Sequence, residues 1–252
     1  MLNALRKIGI ALVTVGYSLA ALLAMPFDRR GRSYIVLARS WSRALLRIAG
    51  IRVHVHGSVP RAAAERRQSF VYTANHTSYF DIPVILAALD DDVRIIYKQE
   101  LEKIPLFGFQ LRKSPFIAVD RSDPRRGMQS MQQAVEVIRA GASVLVFPEG
   151  RRSEDGLTAE FKRGAFMLAS RAGKAVVPVA IAGNHSVMPR GASSIRGGDV
   201  HVYIGEALPA LAAPDRAAEQ EMMSAIHAYI NARVRSHMPE ATPNDASLHQ
   251  QS

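Results

Sequence analysis

No cysteine occurs in the 252 residues. The missing thiols exclude a disulfide-stapled scaffold, a thiolate metal site and a cysteine nucleophile. There is no Walker A sequence, no GxGxxG following a strand and no HExxH, so the common phosphate-loop and zinc-hydrolase signatures are absent. No set of converging metal ligands stands out, and Asp90, Asp91 and Asp92 read as a solvated loop. No internal repeat or low-complexity linker divides the chain. Acidic residues are scarce relative to basic ones, 22 against 32, which leaves a formal net charge of +10. Apolar residues are plentiful. At 48% they exclude global disorder and suffice for a sizeable core.

The cationic excess is local. Residues 1–65 hold ten basic residues against Asp28 and Glu65, a balance of +8, and the remaining 187 residues carry +2. An excess of this kind points to an anionic partner: nucleic acid, an anionic membrane surface or a phosphorylated substrate. Basic and aromatic residues do not interleave, which argues against nucleic acid.

Ile8 to Phe27 is an uncharged run of twenty residues. As a helix it is long enough to cross a hydrocarbon layer of about 30 Å. Arg6 and Lys7 precede it and Arg29, Arg30 and Arg32 follow, so the positive-inside tendency favours the cytoplasmic side for both ends. A cleaved signal peptide and a buried core helix are the competing readings. Ser18-Leu19-Ala20 is a poor cleavage site. Arg32 to Ile48 reads as an amphipathic helix, with Arg32, Arg39, Arg43 and Arg47 in an arc of about 80° opposite Leu37, Trp41, Leu45 and Ile48. That pattern suits a helix lying on a membrane surface, or a domain helix with a solvated arginine stripe. Residues 1–50 are therefore predicted to form a membrane-anchoring helical pair.

Beyond Gly50 the periodicity alternates between strand and helix. Strands are predicted over 51–56, 69–74, 94–97, 115–119, 143–147, 175–181 and 200–204, and helices over 127–140, 162–171 and 215–238. Glycine or proline closes many of these runs. The fold class is α/β: a central mixed sheet flanked by helices, preceded by the two-helix anchor. The domain is predicted over 51–238, with a flexible tail over 239–252.

Two segments follow apolar strands, where open α/β sheets place their sites. The first is Asn75-His76-Thr77-Ser78-Tyr79-Phe80-Asp81. A histidine accepts a hydroxyl proton near neutral pH, and a nearby carboxylate fixes its tautomer. The spacing of five places His76 and Asp81 about 140° apart on an ideal helix, so contact needs a tight turn. The second is Phe147-Pro148-Glu149-Gly150-Arg151-Arg152-Ser153. Glycine lets backbone approach a ligand, and arginines form forked bonds to phosphate. Taken singly, each segment also reads as an ordinary structural or charged turn. His54, His56 and His201 alternate with apolar neighbours as strand-face residues, and His185 either borders a pocket or is structural.

HxxxxD at 76–81 together with FPEGRRS at 147–153 resembles the glycerolipid acyltransferase family, in particular its 1-acylglycerol-3-phosphate acyltransferase type. Further matching segments are Lys98-Gln99-Glu100-Leu101 with Pro105 and Gly108, Phe116 to Arg121, and Val177 to Ile181. The resemblance spans residues 70–190. Arg151 departs from the family's usual Thr, and Ser114-Pro115 replaces a region where glycine is common; both bear on acceptor choice.

The resemblance implies acyl transfer from acyl-CoA or acyl carrier protein to a lysophospholipid hydroxyl, with no cofactor and no metal. On it, His76 and Asp81 are the catalytic residues, and Lys98, Arg121, Glu149, Gly150, Arg151, Arg152 and Ser153 bind substrate. Direct transfer is expected, with backbone N–H groups at the helix start after His76 holding the oxyanion; the rival route is covalent, through Ser78. The implied partners are an anionic membrane surface, the lysophospholipid acceptor and the thioester carrier. The implied location is the cytoplasmic face of the inner membrane. The acceptor is 1-acyl-sn-glycerol 3-phosphate or another lysolipid such as lyso-ornithine lipid. A noncatalytic anionic-membrane module and a lipid hydrolase are the readings of other classes.

Overall fold

Short apolar runs closed by glycine or proline become the strands of one seven-stranded sheet. The computed structural model describes residues 1–28, 31–120 and 123–238. Helices α1 (Leu2–Ala24) and α2 (Arg32–Ala49) precede β1 (Ile51–His56), a short α3 (Arg61–Ala64), β2 (Val71–Ala74), α4 (Asp81–Ala88) and β3 (Val93–Lys98). Then come α5 (Phe107–Lys113), β4 (Ile117–Val119), α6 (Pro124–Arg139), β5 (Ser143–Val146), α7 (Gly164–Ala172), β6 (Val176–Ala182), β7 (Gly198–Ile204) and α8 (Arg216–Arg235).

The strand order is β1-β7-β6-β2-β5-β3-β4. β6, β2, β5, β3 and β4 run parallel, and β7 with β1 runs antiparallel to them. The mixed sheet is as the alternation predicts. All residues of β2 and β6 are buried, because helices cover both faces of the sheet. On one face Leu46 of α2 and Ile85 of α4 pack on Tyr72, Leu145 and Val179. On the other, Ile138 of α6, Phe166 of α7 and Ile226 of α8 pack on Val71, Val144 and Ala180. At the β1 edge, Arg52 pairs with Asp199, His54 with His201 and His56 with Tyr203, so the three histidines do share one strand face.

The two-helix anchor is corrected to one membrane-type helix. Among the described residues a single helix, Leu2–Phe27, is long and apolar enough to cross a membrane, and little of it is buried. Leu5, Ile8, Leu12, Val15, Leu19 and Leu23 form an exposed apolar stripe along it. α2 is instead a domain helix. It buries Tyr34, Ile35, Leu45, Leu46 and Ala49 and packs between α1 and α4. The Leu37-Trp41-Leu45 face meets α1, and Trp41 Nε1 donates to Thr14 Oγ1 at 3.1 Å. Arg39 turns inward and donates to the carbonyls of Leu89 and Asp91. Periodicity detects a two-sided helix, but it does not say whether lipid or protein covers the apolar side. The predicted tail over 239–252 lies outside the described residues.

Candidate active site

Because five strands are parallel, β6, β2, β5, β3 and β4 deliver the residues after them to one edge of the sheet, in that order. Neighbouring strands stand about 4.8 Å apart. The edge therefore lines up Asn184 after β6, His76 after β2, Glu149 after β5 and Lys98 at the end of β3. Arg121 follows β4 and lies outside the described residues.

Asn75 locks the exit of β2 against β6. Its side-chain amide donates to the carbonyl of Ile181 at 2.9 Å and accepts from Ile181 N–H at 2.7 Å. The next five residues, 76–80, form the tight turn that the spacing of five requires, and Asp81 opens α4. Its carboxylate is fully buried. Oδ2 accepts from His76 Nδ1 at 2.6 Å, Thr77 N at 2.7 Å and Ser78 N at 2.9 Å. Oδ1 accepts from Asn184 Nδ2. The His76 ring stacks on Phe147, with centroids 4.2 Å apart. With Nδ1–H held by Asp81, Nε2 is left as the basic nitrogen. The N–H groups of Thr77 and Ser78 are taken by Asp81, so they do not hold an oxyanion as expected. Ser78 Oγ is buried, donates to Met188 O at 3.0 Å and accepts from Phe80 N.

Glu149 sits behind the dyad. Its Oε1 accepts from His76 N–H at 2.7 Å and its Oε2 from Ala159 N–H at 3.1 Å. Burial pushes the carboxyl up to about 7, opposed by those two bonds and assisted by Asp81 and Asp155. Gly150 has φ +75, and a Cβ there would come within 3.3 Å of Lys162 Nζ. Arg152 lies over the Tyr79 ring at 3.6 Å, and Arg151 is exposed. Ser153 is buried; its N–H donates to His76 O at 2.7 Å and its Oγ to Asp155 at 2.7 Å. Lys98 pairs with Glu100 at 3.0 Å. The two motifs thus interlock through main-chain bonds in both directions. Asn184, Phe147 and Lys162 were not singled out as site residues from the sequence; for Asn184 the one available signal is its place directly after a buried strand.

An apolar cavity of about 640 Å³ opens beside the dyad. Tyr79 and Phe80 from the turn wall it on the dyad side, and α1, α2 and α5 contribute Thr14, Trp41, Leu45, Phe107 and Leu111. Among the described residues no cluster of His, Cys, Asp or Glu could hold a metal ion.

A family model described as Acyltransferase matches residues 51–182. The chain belongs to the acyltransferase family. It is 31% identical over 205 residues to the 1-acyl-sn-glycerol-3-phosphate acyltransferase of Pseudomonas aeruginosa, covering 78% of this chain and 74% of that one. It is 38% identical over 135 residues to the chloroplastic enzyme BAT2 of Brassica napus, covering 53% of this chain and 39% of that one. The chain spans about two fifths of the length of that relative and of its Arabidopsis thaliana counterpart, LPAT1. The acyltransferase fold is shared with the crystal structure of the 1-acyl-sn-glycerophosphate acyltransferase PlsC from Thermotoga maritima. The TM-score is 0.77 at 24% identity, over 93% of this chain and 95% of that one.

Proposed function

We propose that residues 51–238 catalyse acyl transfer from acyl-CoA or acyl carrier protein to the sn-2 hydroxyl of 1-acyl-sn-glycerol 3-phosphate, giving phosphatidic acid. The observation that carries this reading is the His76–Asp81 dyad beside an apolar cavity, with Arg152 lying over Tyr79, which lines that cavity. The names of the relatives support the acceptor. His76 Nε2 takes the proton of the acceptor hydroxyl. The oxygen attacks the thioester carbonyl, the C–S bond breaks, and the departing thiolate takes the proton from the imidazolium. Asp81 stabilises that imidazolium and fixes the ring. Lys98, Arg121, Arg151, Arg152 and Lys162 are the cations for phosphate, and the cavity takes an acyl chain. Glu149 and Ser153 act by holding His76's backbone. The buried, doubly bonded Ser78 hydroxyl favours direct transfer over a serine acyl-enzyme.

The apolar stripe of α1 suits burial in one leaflet, because its opposite side is already packed on α2 and α5. Basic residues at both ends of α1 favour the cytoplasmic face of the inner membrane. The test is purified protein with labelled acyl-CoA and a panel of lysolipids, with products separated by mass. His76→Ala is expected to lose transfer by about 10³-fold or more while binding anionic vesicles as before. Full activity in that variant sinks the dyad mechanism. Release of free fatty acid indicates a hydrolase, and vesicle binding without consumption of acyl-CoA a membrane module.

A further inference from the structure

We propose that Asn184 is a positioning residue for the His76–Asp81 dyad; the proposal rests on the acyl-transfer reading of that dyad. The chain leaves β6 through Gly183, whose φ is +81. A Cβ at that position would lie 2.8 Å from the carbonyl oxygen of Asp199, so glycine is what lets the strand turn there. The turn carries Asn184, with no exposed surface, onto Asp81. Its Nδ2 donates to Asp81 Oδ1 at 2.5 Å.

The two oxygens of Asp81 are held from different parts of the chain. Oδ2 is held by the local turn, through His76, Thr77 and Ser78. Oδ1 is held by Asn184, 103 positions further on. Bonds to one oxygen leave the carboxylate free to swing about that oxygen. A donor on the second oxygen fixes its plane, and with it the direction of the His76 Nδ1–H bond and the aim of Nε2.

The amide orientation follows from the same contact. Turned the other way, Asn184 would set its carbonyl oxygen against a carboxylate, two acceptors face to face. In the orientation present, Asn184 Oδ1 is buried without a partner. The supporting loop is tied to the same turn, because Met188 O accepts from Ser78 Oγ and from Tyr79 N–H.

The donor stabilises the negative form of the dyad, so removing it raises the dyad's proton affinity. The full chain is assayed in mixed micelles with acyl-CoA and 1-acyl-sn-glycerol 3-phosphate, for the unmodified protein and for Asn184→Leu, which keeps the branched shape and loses the donor. In Asn184→Leu, kcat is expected to fall about tenfold or more, with both KM values within about twofold. The acid limb of its kcat–pH profile moves up by about half a pH unit. The titration midpoint of the His76 ring resonance, identified by its absence in His76→Ala, moves the same way. Asn184→Asp shares a proton with Asp81 and so keeps a donor until that proton leaves. It is expected to gain an alkaline limb relative to the unmodified protein, and it carries the test if the leucine variant does not fold. A leucine variant with kcat within twofold of the unmodified protein overturns the proposal. So does a low kcat with the acid limb and the His76 midpoint unmoved, since that is loss of packing. If the unmodified protein transfers no acyl group at all, the acyl-transfer reading fails, while the His76 titration still decides whether Asn184 acts on the dyad.

Discussion

Glu149 keeps both carboxyl oxygens on backbone N–H groups, and burial carries it up to about 7 from an ordinary value near 4.5. The unfolded chain ionises this group at lower pH than the folded one. Its contribution to stability is therefore full below about 4.5 and is lost as pH rises through 7. Glu149→Gln removes that slope and turns amide hydrogens toward one of the two N–H donors. The expected cost is about 1–3 kcal/mol, with transfer reduced about tenfold or more, because His76's backbone loses its anchor. Urea denaturation at pH 5 and pH 8 reads the first, and initial rates read the second. A variant that keeps the pH slope of the unmodified protein would show that another group carries it. At this scale the sequence marked His76, Asp81 and Glu149 through their place after apolar strands. It could not show that Glu149 is spent on main chain, nor that Asn184 meets Asp81 across 103 positions, since both depend on β2, β5 and β6 lying side by side.

The elements were legible where burial is unambiguous. β2, β5 and β6 are apolar runs buried on both faces, and α6 and α8 carry one-sided stripes. α2 was misread because its apolar side has the same pattern whether α1 or lipid covers it. α5, seven residues long, was not read at all. It is held by Gly108, where a Cβ would stand 2.2 Å from the carbonyl oxygen of Glu102, and by Tyr34, whose hydroxyl donates to Gln110 at 2.7 Å. Burial pushes that hydroxyl up to about 12. Gly108→Ala forces α5 off the turn before it, at an expected cost of about 1–3 kcal/mol. Because α5 walls the apolar cavity, the loss in thermal stability should come with a raised KM for the acyl donor. An unchanged melting temperature would mean that the turn yields freely.

Across the whole molecule the sheet has two unlike edges. The site stands where the five parallel strands end, and the β1 edge carries a ladder of rings. His54 and His201 stack at 4.8 Å, His56 and Tyr203 at 4.4 Å, and His237 from beyond α8 covers His201 at 4.5 Å. Burial lowers His201, and His237, His54 and His56 lower it further. The unfolded chain then takes up a proton at higher pH than the folded one, so stability falls as pH drops below about 6.5. Glu149 acts the other way over the same range, so the His201 part is read by comparison: the melting temperature at pH 5.5 relative to pH 7.5 is expected to be higher in His201→Phe, which keeps the stack, than in the unmodified protein. An equal difference in both proteins would place the effect elsewhere.

The helix with the lipid-type stripe is also a wall of the cavity beside His76. In the proposed function its outer side faces the bilayer and its inner side the substrate. An acceptor can then pass from leaflet to site by lateral diffusion, without crossing water. The rate should follow the mole fraction of lysolipid in the surface, not its bulk molarity. Diluting the acceptor with inert lipid at constant total acceptor should slow the reaction, as adding buffer should not.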